Sequence, residues 1–548
     1  MNTSVPTPSK TPGRPLPNWI KAIALILILV GIGFRATNLD LKPFWEDEVY
    51  TITRVSGYQM PTISEQIDQQ RLTVKDLEKY RDPQAGQSWL ETMSALASTP
   101  EHTPLYFMLL RVWSGIFGHS TIALRSLSVV LSVAGFGVFY LLGRSLFPTD
   151  PALGDAAGWG AVTLASLSPL LMRYSQETRS YALWIIWLGL SILTLLRAWR
   201  SPSKRNWTLY GITLVLAFYT HFLSLLVIIS QGIALIIHGL LNRSQDRWQK
   251  LPFKGWILTT LASGLVMAPW FVLIMTRRDD VQERTGWLST SFPLDRTLLS
   301  WGQGLVKTWL EIPNRLQPVW YVVALGAFVG VAIASVYLWR HSQRDSILTL
   351  LSFTLVPTLA ILAVDLISGG KRSTVDRYFI STYVGLVALT GSALGVALAG
   401  RVGQRRLSIK TLGLWAGSAV LILLSITSLR TLHQATTWWY KSSYIPTFTS
   451  AMEEWPNTVL VTDQRIAHAL ALAFALPPDQ EVVWLEIPIE EDNPPAVSSL
   501  PIEDSEGIFL YSRSKKLDKN LKDTRQGPLP EPAKWGPSIL QFLPSSKS

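Results

Sequence analysis
The chain has 548 residues, 48% of them hydrophobic and only 16% charged, with 23 Trp and no Cys. Soluble domains carry roughly 25% charged residues, so this is a membrane composition, and without cysteine there is neither disulfide nor thiol chemistry. The net charge of +11 does not call for a nucleic-acid partner, because cytoplasmic loops rich in Lys and Arg explain it first.

Residues 1–17 are rich in Pro, Ser and Thr and carry Lys10 and Arg14, the pattern of a disordered basic tail. The apolar run 18–37 is long enough to span a bilayer and lacks a small-residue cleavage site, so it reads as a retained anchor. Residues 38–121 form a first loop that holds Phe44-Trp45-Glu46-Asp47-Glu48-Val49-Tyr50. On spacing alone, Asp47 could simply cap a short helix that begins near Glu48. Further spans are expected near 122–145, 157–173, 180–197, 208–220, 222–241, 255–275, 318–340, 347–367, 378–399 and 411–431, about eleven in all. The loops after 197, 241 and 399 are basic, with Arg200 and Lys204, Arg243 and Arg247, and Arg405 and Arg406. The positive-inside rule places all three in the cytoplasm, with the N-terminus inside and the C-terminal tail outside. This parity forbids a span at Pro104–Gly118, which carries Arg111, and makes it an interfacial helix on the outer face.

After residue 431 the pattern changes. Asn457–Asp463, Glu481–Glu486 and Gly507–Ser512 read as strands and Arg465–Ala475 as a helix, giving a small α/β domain over 432–548. No glycine-rich phosphate loop follows its first strand, so no nucleotide site is assigned. The fold class is mainly α: a polytopic helical membrane domain over 18–431, with the α/β domain outside.

The same parity gathers the unusual polar residues on the outer face. They are Glu46, Asp47 and Glu48; His102; Arg173, Gln176, Glu177 and Arg179; His221; and Lys371, Arg372, Asp376 and Arg377. Such a mixture suits group transfer from a lipid-linked donor. A carboxylate can serve as general base, ideally with its pKa raised toward neutrality by desolvation, while Arg and Lys hold a phosphate leaving group. Carboxylates with His could instead bind a divalent metal, though no spacing fixes such a geometry. Glu177 and Arg179 could pair with each other or with neighbouring loops. Arg377 could snorkel to the headgroups, and His221 could be purely structural. Arg277, Arg278 and Arg284 sit among Asp279, Asp280 and Glu283 as a mutually paired loop.

Four segments carry a resemblance: Phe44-Trp45-Glu46-Asp47-Glu48; His102-Thr103-Pro104-Leu105-Tyr106, with Phe117-Gly118 and Ala123-Leu124-Arg125 following; Ser168-Pro169 through Tyr174-Ser175-Gln176-Glu177-Thr178-Arg179-Ser180-Tyr181; and Tyr219-Thr220-His221. Together with Asp376-Arg377-Tyr378-Phe379 they resemble the GT-C superfamily of multi-pass glycosyltransferases. They look similar to bacterial members of glycosyltransferase family 39, the protein mannosyltransferase-like group that includes the aminoarabinose transferase relatives. Thr103 departs from the family's usual Pro. The resemblance covers roughly residues 20–400. It implies inverting transfer from a polyprenyl-phosphate sugar to a lipid, glycan or protein acceptor at the outer face of the plasma membrane. Carried over by motif, Asp47 would be the catalytic acid/base residue and Glu48 its partner. His102, Glu177, Arg179, His221, Lys371, Arg372 and Arg377 would bind substrate or phosphate, and Glu46 is left as a bystander. A secondary transporter, or a polymerase or ligase using a diphosphate donor, remains the alternative.

Overall fold
The computed structural model describes residues 14–544 except 84, 86, 242–251, 312–316, 402–408, 439–440, 456, 488–493, 503–504, 506 and 525–538. Most of the expected N-terminal tail, and the basic loop residues Arg243, Arg247, Arg405 and Arg406, therefore lie outside the described residues.

The chain is a polytopic membrane protein. Among the described residues, nine helices are long and apolar enough to cross a bilayer, from Asn18–Ala36 to Thr411–Gln434. Two shorter helices, Pro151–Leu167 and Lys204–Thr220, pack among them. The first corrects the span expected over 157–173. Asp150 caps its start, Pro151 fits its first turn, and it stops at Ser168. Ser168 is extended because Pro169 follows, and its hydroxyl accepts from Leu171 N to begin the short helix Pro169–Ser175. Helix Leu105–Phe117 has only 13 residues, too few to span, and ends at Gly118, whose φ of 84° a side chain would resist. Its Arg111 is buried, donating to Val55 O at 2.7 Å and Thr92 Oγ1 at 2.5 Å.

The bundle has two chemically distinct ends. At one, Lys21 pairs with Asp155 at 2.6 Å, Arg200 with Asp345 at 2.7 Å, and Gln343 N donates to Leu146 O at 2.9 Å. At the other, the Gln176 amide donates to the carbonyls of Phe34, Arg35 and Thr37, each at 3.0 Å. That side chain satisfies the last carbonyls of the first span. Arg284 corrects the expectation of a self-paired loop. It reaches Glu101 at 3.1 Å, although Arg277 and Arg278 do pair with Asp280 and Asp279.

Small residues set the tightest helix packing. Pro151–Leu167 lies against Ile380–Ala399, and a Cβ on Gly160 would stand 2.1 Å from Gly391 O. Neither backbone can retreat, as small-residue crossings of this kind require close approach. Gly160→Leu is expected to destabilise the bundle by about 1–3 kcal/mol, read as a loss of monodisperse protein in detergent on heating.

The C-terminal region forms a sheet with strands β1 (Arg71–Thr73), β2 (Thr458–Thr462), β3 (Glu481–Trp484), β4 (Gly507–Ser512) and β5 (Ile539–Pro544), in the order β1-β3-β2-β4-β5. The three central strands run parallel, and β1 and β5 flank them antiparallel. Strand β1 belongs to the first loop, so residues 432–548 complete their sheet with a strand from 71–73. Helix Ile466–Ala473 follows β2 and presses its apolar face on helix Glu46–Val55, where Val49, Ile52 and Leu470 join one core.

Candidate active site
Helix Glu46–Val55 carries the acids. Its first turn is held by Glu48, whose carboxylate accepts from Trp45 N at 3.4 Å. Glu48 is fully buried. It takes a two-pronged pair from Arg125, Nε to Oε1 at 2.9 Å and Nη2 to Oε2 at 2.7 Å, and accepts Thr178 N at 2.8 Å. Both oxygens are spent on the protein itself. This corrects the role expected for Glu48: it braces the acid helix and has no free face toward a substrate.

Asp47, one residue earlier, points elsewhere, as neighbours on a helix must. Its carboxylate lies 3.7 Å from Arg377 Nε and 3.8 Å from Arg179 Nη2. Arg179 is steadied by Thr51 Oγ1 at 2.7 Å and by Asp47 O at 3.0 Å. Burial would raise the Asp47 carboxyl, but Arg377, Arg179, Lys441 and Arg54 outweigh it and hold the group below its usual value. The expectation of a carboxyl raised toward neutrality is thus reversed, because cations surround it.

Glu177 and Arg179 do not pair with each other. Glu177 is fully buried and joins Arg173 at 3.0 Å and Lys441 at 2.9 Å. Lys441, which follows the last span, was missed in the sequence. Its ammonium also sits 3.1 Å from the centre of the Trp45 ring, and burial next to Arg173 pushes it down to about 7 against the pull of Glu177 and Asp47. His221 stacks on Trp184 at 4.1 Å and its Nδ1 accepts Leu223 N at 3.3 Å. Burial, with Arg179 and Arg377 near, pushes it down to about 3, and the same causes with Arg54 lower His102. Both rings are therefore neutral at pH 7.

Two residues expected to bind phosphate are engaged elsewhere. Arg372 reaches Asp365 at 3.4 Å and Ser289 at 2.8 Å, and Lys371 lies over Trp287. Asp376 instead gathers Arg173 at 3.5 Å and Lys307 at 3.7 Å. Next to Lys307, Val306 opens an apolar cavity of about 630 Å³ lined also by Leu164, Trp309, Val331 and Ala393. Among the described residues no three His, Asp or Glu side chains are grouped to hold a metal ion. Asp47, Glu48, Glu177 and Asp376 already face Arg or Lys, which compete with a divalent cation for their oxygens.

Residues 101–274 match the family model of dolichyl-phosphate-mannose-protein mannosyltransferases. That stretch includes His102, Arg125, Glu177, Arg179 and His221 but neither Asp47 nor Arg377. No curated protein matches the chain by sequence. ArnT from Cupriavidus metallidurans in the apo state has a TM-score of 0.50 at 14% identity, covering 97% of this chain and 98% of that one. The same ArnT bound to undecaprenyl phosphate gives 0.49 at 12% identity, with 96% and 98% covered. AglB, the oligosaccharyltransferase of Archaeoglobus fulgidus, in complex with an inhibitory peptide and a dolichol-phosphate, gives 0.44 at 14% identity, with 90% and 69% covered. The chain thus has the fold of ArnT, and its residues 101–274 carry the sequence pattern of the dolichyl-phosphate-mannose-protein mannosyltransferases.

Proposed function
We propose that the protein moves a sugar from a polyprenyl-phosphate donor to an acceptor hydroxyl or similar group at the outer face of the plasma membrane, inverting the anomeric carbon, with Asp47 as base. The observation that carries this reading is a carboxylate set between Arg179 and Arg377 with Lys441 close by. Such a group is a poor base while the cations are its own. A donor phosphate entering the site would share them, since guanidinium binds phosphate oxygens as readily as carboxylate. Asp47 would then recover proton affinity at the moment a substrate is present. The acceptor oxygen bonds to the anomeric carbon as the carbon–oxygen bond to phosphate breaks. The electron pair leaves on the phosphate, where Arg377, Arg179 and Lys441 stabilise it, and the acceptor's proton goes to Asp47.

The apolar cavity lined by Val306 suits the polyprenyl tail, with Lys307 next to Val306 in sequence and Arg173 sharing Asp376 with Lys307. The outer-face assignment rests on charge: Arg200 and Lys204 stand at the end away from Asp47, and the positive-inside rule puts that end in the cytoplasm. The membrane location of the family match agrees with a lipid-borne donor, and the acceptor is a lipid, glycan or protein.

The test is a panel of polyprenyl-monophosphate and polyprenyl-diphosphate sugars offered to membranes containing the protein, with product mass as readout. Transfer from a monophosphate donor, insensitive to chelator, is expected. Transfer only from diphosphate donors would make it a polymerase or ligase. No transfer, together with solute uptake by reconstituted vesicles, would make it a transporter.

A further inference from the structure
Glu46, the bystander of the acid cluster, has a partner in the C-terminal domain. Its Oε2 lies 3.4 Å from His468 Nε2, and both side chains are 29% exposed. His468 sits on helix Ile466–Ala473, which packs on the acid helix, and its Nδ1 is buried without a partner, so only Nε2 is offered. The charged groups acting on Glu46 are Asp47 on its own helix, Arg465 from the domain, and Arg377. Tyr50 and Tyr444 also border it, and Arg513 faces His468. The other elements packed along the acid helix spend their charges elsewhere: Arg111 on Val55 and Thr92, Glu91 on Ser88, Arg81 on Glu78.

We propose that the α/β domain is part of the reacting unit: His468 positions Glu46 so that the charge on Glu46 sets the strength of Asp47 as a base. This rests on Asp47 being the base. Burial and the Asp47 charge push the Glu46 carboxyl up to about 7, against Arg465 and Arg377, while burial keeps His468 neutral, at about 4. Below pH 7 Glu46 holds its proton and Asp47 feels only the cations. Above it, a second negative charge stands beside Asp47, opposes Arg377 and Arg179, and raises its affinity for the acceptor's proton, while Lys441, pushed down to about 7, loses its proton over the same range and adds to the effect. The positioning role belongs to this chain's own Glu46 and His468, and His468 lies far beyond the family-matched stretch.

The experiment is the pH profile of kcat/KM for the full-length protein in lipid nanodiscs. The wild type is expected to gain activity as pH rises through about 7. Glu46→Gln should remove the Glu46 part of that rise and leave the part due to Lys441, running about tenfold below wild type at pH 8 and level with it at pH 6. Arg465→Gln, an exposed site that acts on Glu46 by charge alone, should move the rise to higher pH, and so should His468→Phe, which keeps the cover over Glu46 and removes Nε2. If Glu46→Gln does not fold, Arg465→Gln decides. An unchanged profile in these variants, with Asp47→Asn inactive, overturns this proposal and leaves Asp47 in place. An active Asp47→Asn removes the base itself and this proposal with it.

Discussion

Asp47→Asn is expected to lower turnover by roughly 10²–10⁴-fold while the protein stays folded in the membrane, the range lost when a positioned general base is removed. The amide keeps the shape of the side chain. The backbone contacts survive too, because Arg179 Nη1 and Thr51 Oγ1 bind the Asp47 carbonyl, at 3.0 and 2.9 Å. What disappears is the negative charge among Arg377, Arg179 and Lys441. Arg377 and Arg179 then lose their carboxylate competitor for a phosphate, so the KM for donor should hold or fall as kcat collapses. Arg377→Ala should do the reverse in part, raising donor KM along with its loss of kcat, because it removes a phosphate ligand. The pair of signatures, measured by steady-state kinetics with a purified donor, separates a base from a binding residue. Normal turnover in Asp47→Asn would remove Asp47 from the chemistry.

The helical architecture was legible because spans are long and apolar, and loop charge fixed how they alternate. The same parity grouped Asp47, His102, Glu177, Arg179, His221 and Arg377, and the fold brings them to one end of the bundle. What stayed hidden was long-range. Lys441 looks like an ordinary lysine after a span, and only the fold brings it 264 residues back to Glu177. His468 reads as one turn of an apolar helix, and nothing local says that the helix lands on Glu46. Strand β1 has three residues in a polar loop, too few for any alternation to show. Lys371 and Arg372 misled for the opposite reason: they sit near Arg377 in sequence, but the turn Arg372–Thr374 directs Arg372 to Asp365. One signal was available and went unused. Arg125 stands in a span-length apolar helix, and a buried charge there needs a partner.

That partner is Glu48, and the second large effect expected is on stability. Arg125→Leu should cost about 3–5 kcal/mol, because it leaves a carboxylate buried without its counter-charge. The loss reaches past one pair. Arg125 Nη1 also donates to the carbonyls of Leu39 and Lys42, at 2.6 and 2.7 Å, so it fastens the segment between the first span and the acid helix. Glu48→Gln should cost less than Arg125→Leu, since the amide oxygen can still accept Thr178 N, but it leaves the guanidinium unneutralised. Arg125→Leu combined with Glu48→Leu should recover part of the loss by removing both charges, and only part, because Thr178 N and the two carbonyls stay unpartnered. The measurement is thermal unfolding in detergent together with turnover per folded molecule. A bracing role lowers the melting temperature of Glu48→Gln and leaves kcat of the surviving folded protein within about threefold of wild type. A catalytic role for Glu48 would give the opposite split, an unchanged melting temperature with turnover gone. The geometry favours the first, since a carboxylate with both oxygens committed to Arg125, Thr178 and Trp45 has none left to offer a substrate.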